Sequence, residues 1–197
     1  MSTSTIVFAG DSVTDCGRMS TADGLGDGYV RELAGRPELA GWRVVNAGVS
    51  GNRVKDLAAR WREDVLSARP DVVSVFIGIN EVWRRFDEND PTSDAAYEAG
   101  LRALLETLDG VRVVLVEPVL LPKDEEQRGW AQEHAGKIAV VHALAQEFGA
   151  TLVPMNAELN AAGDAAGYAP DGVHPNAAGH RLLADVWLRY AGAALRS

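Results

Sequence analysis

The chain of 197 residues predicts an α/β fold, a three-layer α/β/α sandwich on a five-stranded parallel sheet, in one domain covering residues 1–197. Two observations predict it. Five short runs of β-branched and apolar residues read as buried strands, and amphipathic stretches of helical spacing lie between most of them. Strands alternating with helices need crossover connections, which give parallel sheets covered on both faces. A third observation ties the fold to chemistry: the runs end abruptly in polar, glycine-bearing loops, and in such folds ligands bind outside the carboxyl ends of the strands.

The first strand is Ile6-Val7-Phe8-Ala9, and at Gly10 it gives way to Gly10-Asp11-Ser12-Val13-Thr14-Asp15. A hydroxyl, Ser12, therefore stands just past the strand end. Gly24, Gly26 and Gly28 mark a flexible connection before a short helical pattern at Tyr29, Val30 and Leu33. Trp42-Arg43-Val44-Val45-Asn46 is the second strand, ended by Ala47-Gly48-Val49-Ser50-Gly51-Asn52. Val54, Leu57, Ala58, Trp61, Val65 and Leu66 then recur at helical spacing, with Arg60, Arg62, Glu63 and Asp64 on the polar side, and this helix stops before Pro70. Asp71 to Ile77 is the third strand, running into a polar loop at Gly78-Ile79-Asn80-Glu81. Tyr97, Leu101, Leu104, Leu105 and Leu108 give a helix, Val111 to Val116 the fourth strand, and Gly129 to Phe148 a long helix that Gly149 separates from the fifth strand at Thr151 to Val153. A loop containing Tyr168 leads to Asp171-Gly172-Val173-His174-Pro175, and a helix from Ala177 to Leu195 completes the chain.

An apolar fraction of 47% and a charged fraction of 24% are those of an ordinary globular protein. The net charge of −9 opposes phosphate backbones and anionic membrane surfaces, so neither nucleic acid nor a membrane is an expected partner. No apolar run approaches the length of a membrane span. Cys16 is the only cysteine, which suits a reducing compartment, and Met1-Ser2-Thr3-Ser4-Thr5 has neither the basic nor the apolar region of a signal peptide. A cytoplasmic location is expected.

Four loops at the presumed carboxyl edge hold Ser12, Gly48, Asn80, and Asp171 with His174. Hydrolysis by a serine needs a base to take its proton and a third group to orient that base. Asp171 stands three residues before His174 with Gly172 between them, so a turn lets the carboxylate reach one ring nitrogen while the other faces Ser12. The N–H groups of Ser12 and Gly48 and the Asn80 amide are the expected donors to the oxyanion.

The blocks Gly10-Asp11-Ser12-Val13-Thr14-Asp15, Gly48, Gly78-Ile79-Asn80-Glu81 and Asp171-Gly172-Val173-His174-Pro175 stand in the order of the SGNH hydrolases of the GDSL type, which the chain resembles over nearly its whole length. Within that family, Asp15-Cys16-Gly17-Arg18, Arg43 to Asn52 and Ile77 to Arg84 resemble acetylxylan esterases acting on xylo-oligosaccharides. The resemblance implies a flavodoxin-like SGNH hydrolase fold and a serine esterase that removes short acyl groups, above all acetyl, from carbohydrate through an acyl-serine, with no metal or organic cofactor. It also implies a homo-oligomer. Glu81 departs from the family, which commonly has Asp there; the extra methylene either shifts the loop of Asn80 or lets Glu81 make the same contacts from further away.

Asp11, Trp83, Trp130 and Tyr168 are the candidates for substrate contact, the aromatics as a wall against a sugar ring. His134, His142 and His180 read as surface or capping residues, Cys16 as a small packed residue, and Asp124-Glu125-Glu126 as a solvated loop. Three other functions compete: the same mechanism on a lipid or thioester, a metal-dependent phosphatase using Asp11 as nucleophile, and a non-catalytic α/β binding module. The second lacks an acid two residues after Asp11, where Val13 stands, and the first loop has no phosphate-cradling glycine pattern.

Overall fold

The computed structural model describes residues 3–163 and 165–196. Its first half runs β1 (Thr5–Gly10), α1 (Ser12–Asp15), α2 (Tyr29–Ala34), β2 (Arg43–Gly48), α3 (Val54–Asp64), β3 (Val72–Phe76), α4 (Ile79–Asp87) and α5 (Asp94–Leu105). The second half runs β4 (Arg112–Val116), α6 (Glu125–Arg128), α7 (Ala131–Phe148), β5 (Thr151–Val153), α8 (Met155–Ala161), α9 (Ala165–Tyr168) and α10 (Ala177–Ala191). All five strands pair in parallel in the order β2-β1-β3-β4-β5. The strand order reverses direction between β1 and β3, and a crevice opens at the carboxyl ends of such a pair.

Alternation along the strands divides the core into two layers. Ile6, Phe8, Val72, Phe76, Val114 and Val116 face α2, α8 and α10, while Val7, Ala9, Val73, Val75 and Leu115 face α3, α5 and α7. Each fully buried aliphatic side chain in these layers contributes roughly 1.5–3 kcal/mol, so the sheet is a stiff base for the loops at its edge. Two of the polar groups inside pair across the layer: the Trp187 indole N–H donates to Ser74 Oγ at 3.0 Å, and Tyr97 Oη donates to Ile77 O at 2.9 Å, while among the described residues Glu81 Oε2 and Trp130 Nε1 are buried without a partner.

Four local expectations differ. The second strand continues through Gly48, which pairs in register with Gly10, so Gly48 belongs to the strand and not to the loop beyond it. Gly78-Ile79-Asn80-Glu81 is not a plain loop: Gly78, at φ +134°, turns the chain directly into α4, whose first turn contains Asn80 and Glu81. The connection expected around Tyr168 holds α8 and α9, which are too short for a helical period to show. The two long helices are shorter than expected: α7 starts at Ala131, and the last turn over Gly192–Leu195 is a 3₁₀ helix. Among the described residues, no helix is long and apolar enough to cross a membrane.

Candidate active site

Ser12 opens α1, directly after β1. The Asp11 carboxylate caps that helix by accepting the Val13 N–H at 3.1 Å, which holds Ser12 in the first turn with its side chain half-buried. Across 162 residues of sequence, Ser12 Oγ meets His174 Nε2 at 2.9 Å. His174 Nδ1 meets Asp171 Oδ2 at 2.6 Å. Because a carboxylate only accepts, Nδ1 donates to Asp171, which leaves Nε2 as the ring nitrogen that faces the serine hydroxyl.

The acid and the imidazole share one tight turn. Asp171 Oδ1 accepts the backbone N–H of Val173 at 2.9 Å and of His174 at 2.7 Å, leaving Oδ2 for the ring. Gly172, at φ +86°, makes the turn possible, and a Cβ there would lie 2.0 Å from Gln127 Oε1. Gln127, which is buried, donates from Nε2 to the Asp171 carbonyl at 2.8 Å. Partial burial pushes the Asp171 carboxyl up, but the His174 N–H, the His174 ring and the Val173 N–H outweigh it and hold the group below the usual carboxylate range. Asp171 is thus ionised wherever His174 needs it.

The oxyanion side corrects one expectation. The Gly48 N–H is taken by Asn46 Oδ1 at 2.9 Å, and a Cβ on Gly48 would sit 2.2 Å from Asp15 N; its role is to let β2 pack against α1. Gly51 takes the exposed position. It turns the loop at φ +80° with open space around it, borders the same cleft as Ser12 and His174, and among the described residues its N–H has no protein acceptor. The Ser50-Gly51-Asn52 sequence was a turn signal available from the start, but Gly48 competed for the same role. Asn80, buried at the start of α4, gives one amide hydrogen to Asn52 O at 3.0 Å and keeps its second hydrogen. Asp15 fastens the Gly51 loop, its Oδ2 accepting from Ser50 N at 3.1 Å and from Ser50 Oγ at 2.6 Å.

These groups enclose a cleft of about 390 Å³, of a size for a small ester. Trp83 forms part of its wall, with its ring 5.7 Å from the His174 ring. Trp130 does not reach the cleft: it is 3% exposed and packs behind Trp83 at 5.9 Å. Tyr168 packs on the α10 side of the core and holds the approach to α10 through its carbonyl, which accepts from Asn176 N at 2.8 Å. Asp11 is 2% exposed and spent on the helix cap; burial, with a smaller push from the Glu81 carboxylate, raises it to about 7, so it is neither a sugar contact nor an exposed nucleophile. A larger cavity of about 780 Å³ lies against Glu81 and Tyr97, apart from the serine and the imidazole, and the geometry of the reaction favours the smaller one.

Two side chains read as inert lie against the cleft. His180 is buried, accepts the Tyr29 N–H at Nδ1 (3.2 Å) and therefore carries its proton on Nε2, 3.3 Å from Cys16 Sγ. Burial lowers His180 to about 4, and burial raises the Cys16 thiol, with Asp27 and Asp15 adding to it, so neither group competes with the Ser12 pair for protons near neutral pH. His134 is likewise buried, on Pro118 O at 2.8 Å, while His142 is half exposed and bonds Glu117 at 2.6 Å. Glu81 turns away from the cleft: Oε1 accepts the Val54 N–H at 2.6 Å, tying α4 to α3, and burial raises the carboxyl to about 7.

Comparison with known proteins agrees with this geometry. Residues 8–182 match the GDSL-like Lipase/Acylhydrolase family. An acetylxylan esterase of Geobacillus stearothermophilus is 41% identical over 95% of this chain and 93% of its own length. A solved variant of Axe2, an acetyl xylan esterase from the same organism, superposes with a TM-score of 0.88 at 40% identity, covering 97% of this chain and 95% of that one. LAE5, an alpha/beta hydrolase from the metagenome of Lake Arreo, Spain, gives 0.87 at 32% identity, covering 98% and 97%. Catalytic mutants of Axe2 replace a serine, a histidine or an aspartate by alanine, the aspartate three positions before the histidine, as Asp171 stands to His174. On a family match over most of its length and on relatives this similar along nearly all of it, the chain belongs to the GDSL-like lipase/acylhydrolase family.

Proposed function

We propose that this chain removes acetyl groups from acetylated xylo-oligosaccharides through an acetyl-serine intermediate. One observation carries the reading: the unbroken line Ser12 Oγ, His174 Nε2, His174 Nδ1, Asp171 Oδ2, with contacts of 2.9 Å and 2.6 Å, at the edge of a cleft of about 390 Å³. The substrate class follows from the relative Axe2, an acetyl-xylooligosaccharide esterase. Trp83, beside His174, is the surface on which a sugar ring would lie. The single cysteine suits a reducing compartment, where the substrate would be an imported soluble oligosaccharide.

In this reading His174 Nε2 takes the Ser12 proton as Oγ attacks the acetyl carbonyl. The charge that develops on the carbonyl oxygen is met by the N–H groups of Ser12 and Gly51 and the free hydrogen of the Asn80 amide, each worth roughly 2.7–4 kcal/mol in the transition state. The imidazolium, stabilised by Asp171, returns the proton to the departing sugar oxygen. Water then attacks the acetyl-serine with His174 again as base, releasing acetate. The test is acetate release from acetylated xylo-oligosaccharides against esters of longer acids on the same sugars. Acetyl esters should be cleaved fastest by far; preference for long acyl chains would refute the assignment.

A further inference from the structure

The sequence places Arg60 on the polar side of α3. Its side chain is 17% exposed and turns back under the carboxyl edge of the sheet. Nη2 donates to Gly10 O at 3.1 Å, Nη1 to Ala47 O at 2.7 Å, and Nε to Asn52 Oδ1 at 2.7 Å. Asp64, one turn further along the helix, pairs with Nη1 at 2.8 Å and neutralises the charge. Each acceptor belongs to a chain segment that carries an oxyanion donor or supports one. Gly10 ends β1 two residues before Ser12; Ala47 lies in β2 just before the loop of Gly51; and Asn52, next to Gly51, accepts the Asn80 amide on its carbonyl at 3.0 Å.

We propose that Arg60 is a positioning residue for the oxyanion hole: its planar fork fixes the mutual spacing of the Ser12 N–H, the Gly51 N–H and the Asn80 amide without touching substrate. This rests on the esterase reading above. Five donors in a rigid plane reach acceptors in three directions at once, which an ammonium on a flexible stem does not reproduce. The donors act on charge that appears only in the transition state, so a loosened spacing lowers turnover and leaves ground-state binding nearly as it was. An Arg that merely stabilised the fold would lower the melting temperature and leave the turnover of the folded fraction intact.

The experiment is steady-state hydrolysis of a chromogenic acetate ester by the wild type, Ser12→Ala, Arg60→Ala, Arg60→Lys and Asn52→Ala, each checked for folding by circular dichroism. Arg60→Ala should lose about 100-fold in kcat with KM within about threefold, since a misplacement of about 1 Å is worth that much. Arg60→Lys should recover only part of the loss, Asn52→Ala should show a smaller fall in kcat, and added guanidinium ion should restore Arg60→Ala but not Ser12→Ala. A folded Arg60→Ala with unchanged kcat, or with its loss confined to KM, overturns the proposal. Should Arg60→Ala fail to fold, Arg60→Lys and Asn52→Ala decide, and full turnover in both overturns it. A folded wild type with no activity on acetate esters sinks the esterase reading and this proposal together, whereas a normal wild type beside indifferent variants sinks this proposal alone.

Discussion

The two walls of the cleft are built in opposite ways. On one side, Asp171 and His174 belong to a single four-residue turn whose carboxylate accepts two backbone N–H groups and the imidazole, so local geometry alone brings acid and base together. On the other side, Ser12, Gly51 and Asn80 come from three separate segments, joined through Asp15, Arg60, Asn52 and Asn46, whose Nδ2 donates to Thr14 O at 2.7 Å. The proton-handling half is local and the charge-stabilising half is a tertiary assembly. Damage to the first should abolish chemistry at one residue, whereas damage to the second should weaken it in steps.

The comparison is broken most directly at the serine and the imidazole. Ser12→Ala or His174→Ala should lower kcat by on the order of 10⁴-fold or more, measured as initial rates on a chromogenic acetate ester. A loss of only a few-fold from either would mean that the 2.9 Å contact is not the catalytic one. Asn80→Ala should cost about 10²–10³ in kcat with KM little changed, and a change confined to KM would remove Asn80 from the oxyanion hole.

The glycines separate the structural from the catalytic role. Gly48→Ala forces a methyl to within 2.2 Å of Asp15 N and should lower stability by about 1–3 kcal/mol, read as a denaturation midpoint. Gly51→Ala has open space but a φ of +80°, so the variant should fold and lose turnover as the strained loop moves its N–H. The opposite pattern, a stable but inactive Gly48→Ala beside a fully active Gly51→Ala, would return the donor role to Gly48.

This difference also explains what could be read from the residues alone. The strands were legible because β-branched runs bounded by glycine and proline have few alternatives, and Asp171 with His174 because a turn brings them together in sequence. Gly51 was passed over for Gly48 because both read as loop glycines; the strand register, which carries β2 through Gly48, and the bond from its N–H to Asn46 tell them apart. The first turn of α4 was hidden because Gly78 enters the helix in a backbone conformation that leaves no periodic pattern before Asn80. His180 and Trp130 were misplaced, and the role of Arg60 stayed hidden, because helical spacing gives the face of a residue but not the direction in which a long or aromatic side chain turns back.

The smallest expected effect concerns Glu81, whose Oε1 ties α4 to α3. Burial raises its folded-state pKa from 4.5 to about 7, so the folded protein holds a proton that the unfolded chain releases. Its contribution to stability is therefore fully present below 4.5 and lost as pH rises through 7. Glu81→Gln cannot ionise, so its melting temperature relative to the wild type should climb between those two values and level off above them. A difference constant with pH would mean that Glu81 is ionised throughout.

The central claim is that the hydroxyl of Ser12 carries the acyl group. Rapid acid quench during turnover of an acetate ester, followed by mass spectrometry of the digested protein, tests it: one acetyl group should appear on the peptide containing Ser12, build up within the first turnover and decay when substrate runs out. Steady acetate release with no acetyl on that peptide, together with undiminished activity in Ser12→Ala, would contradict the account.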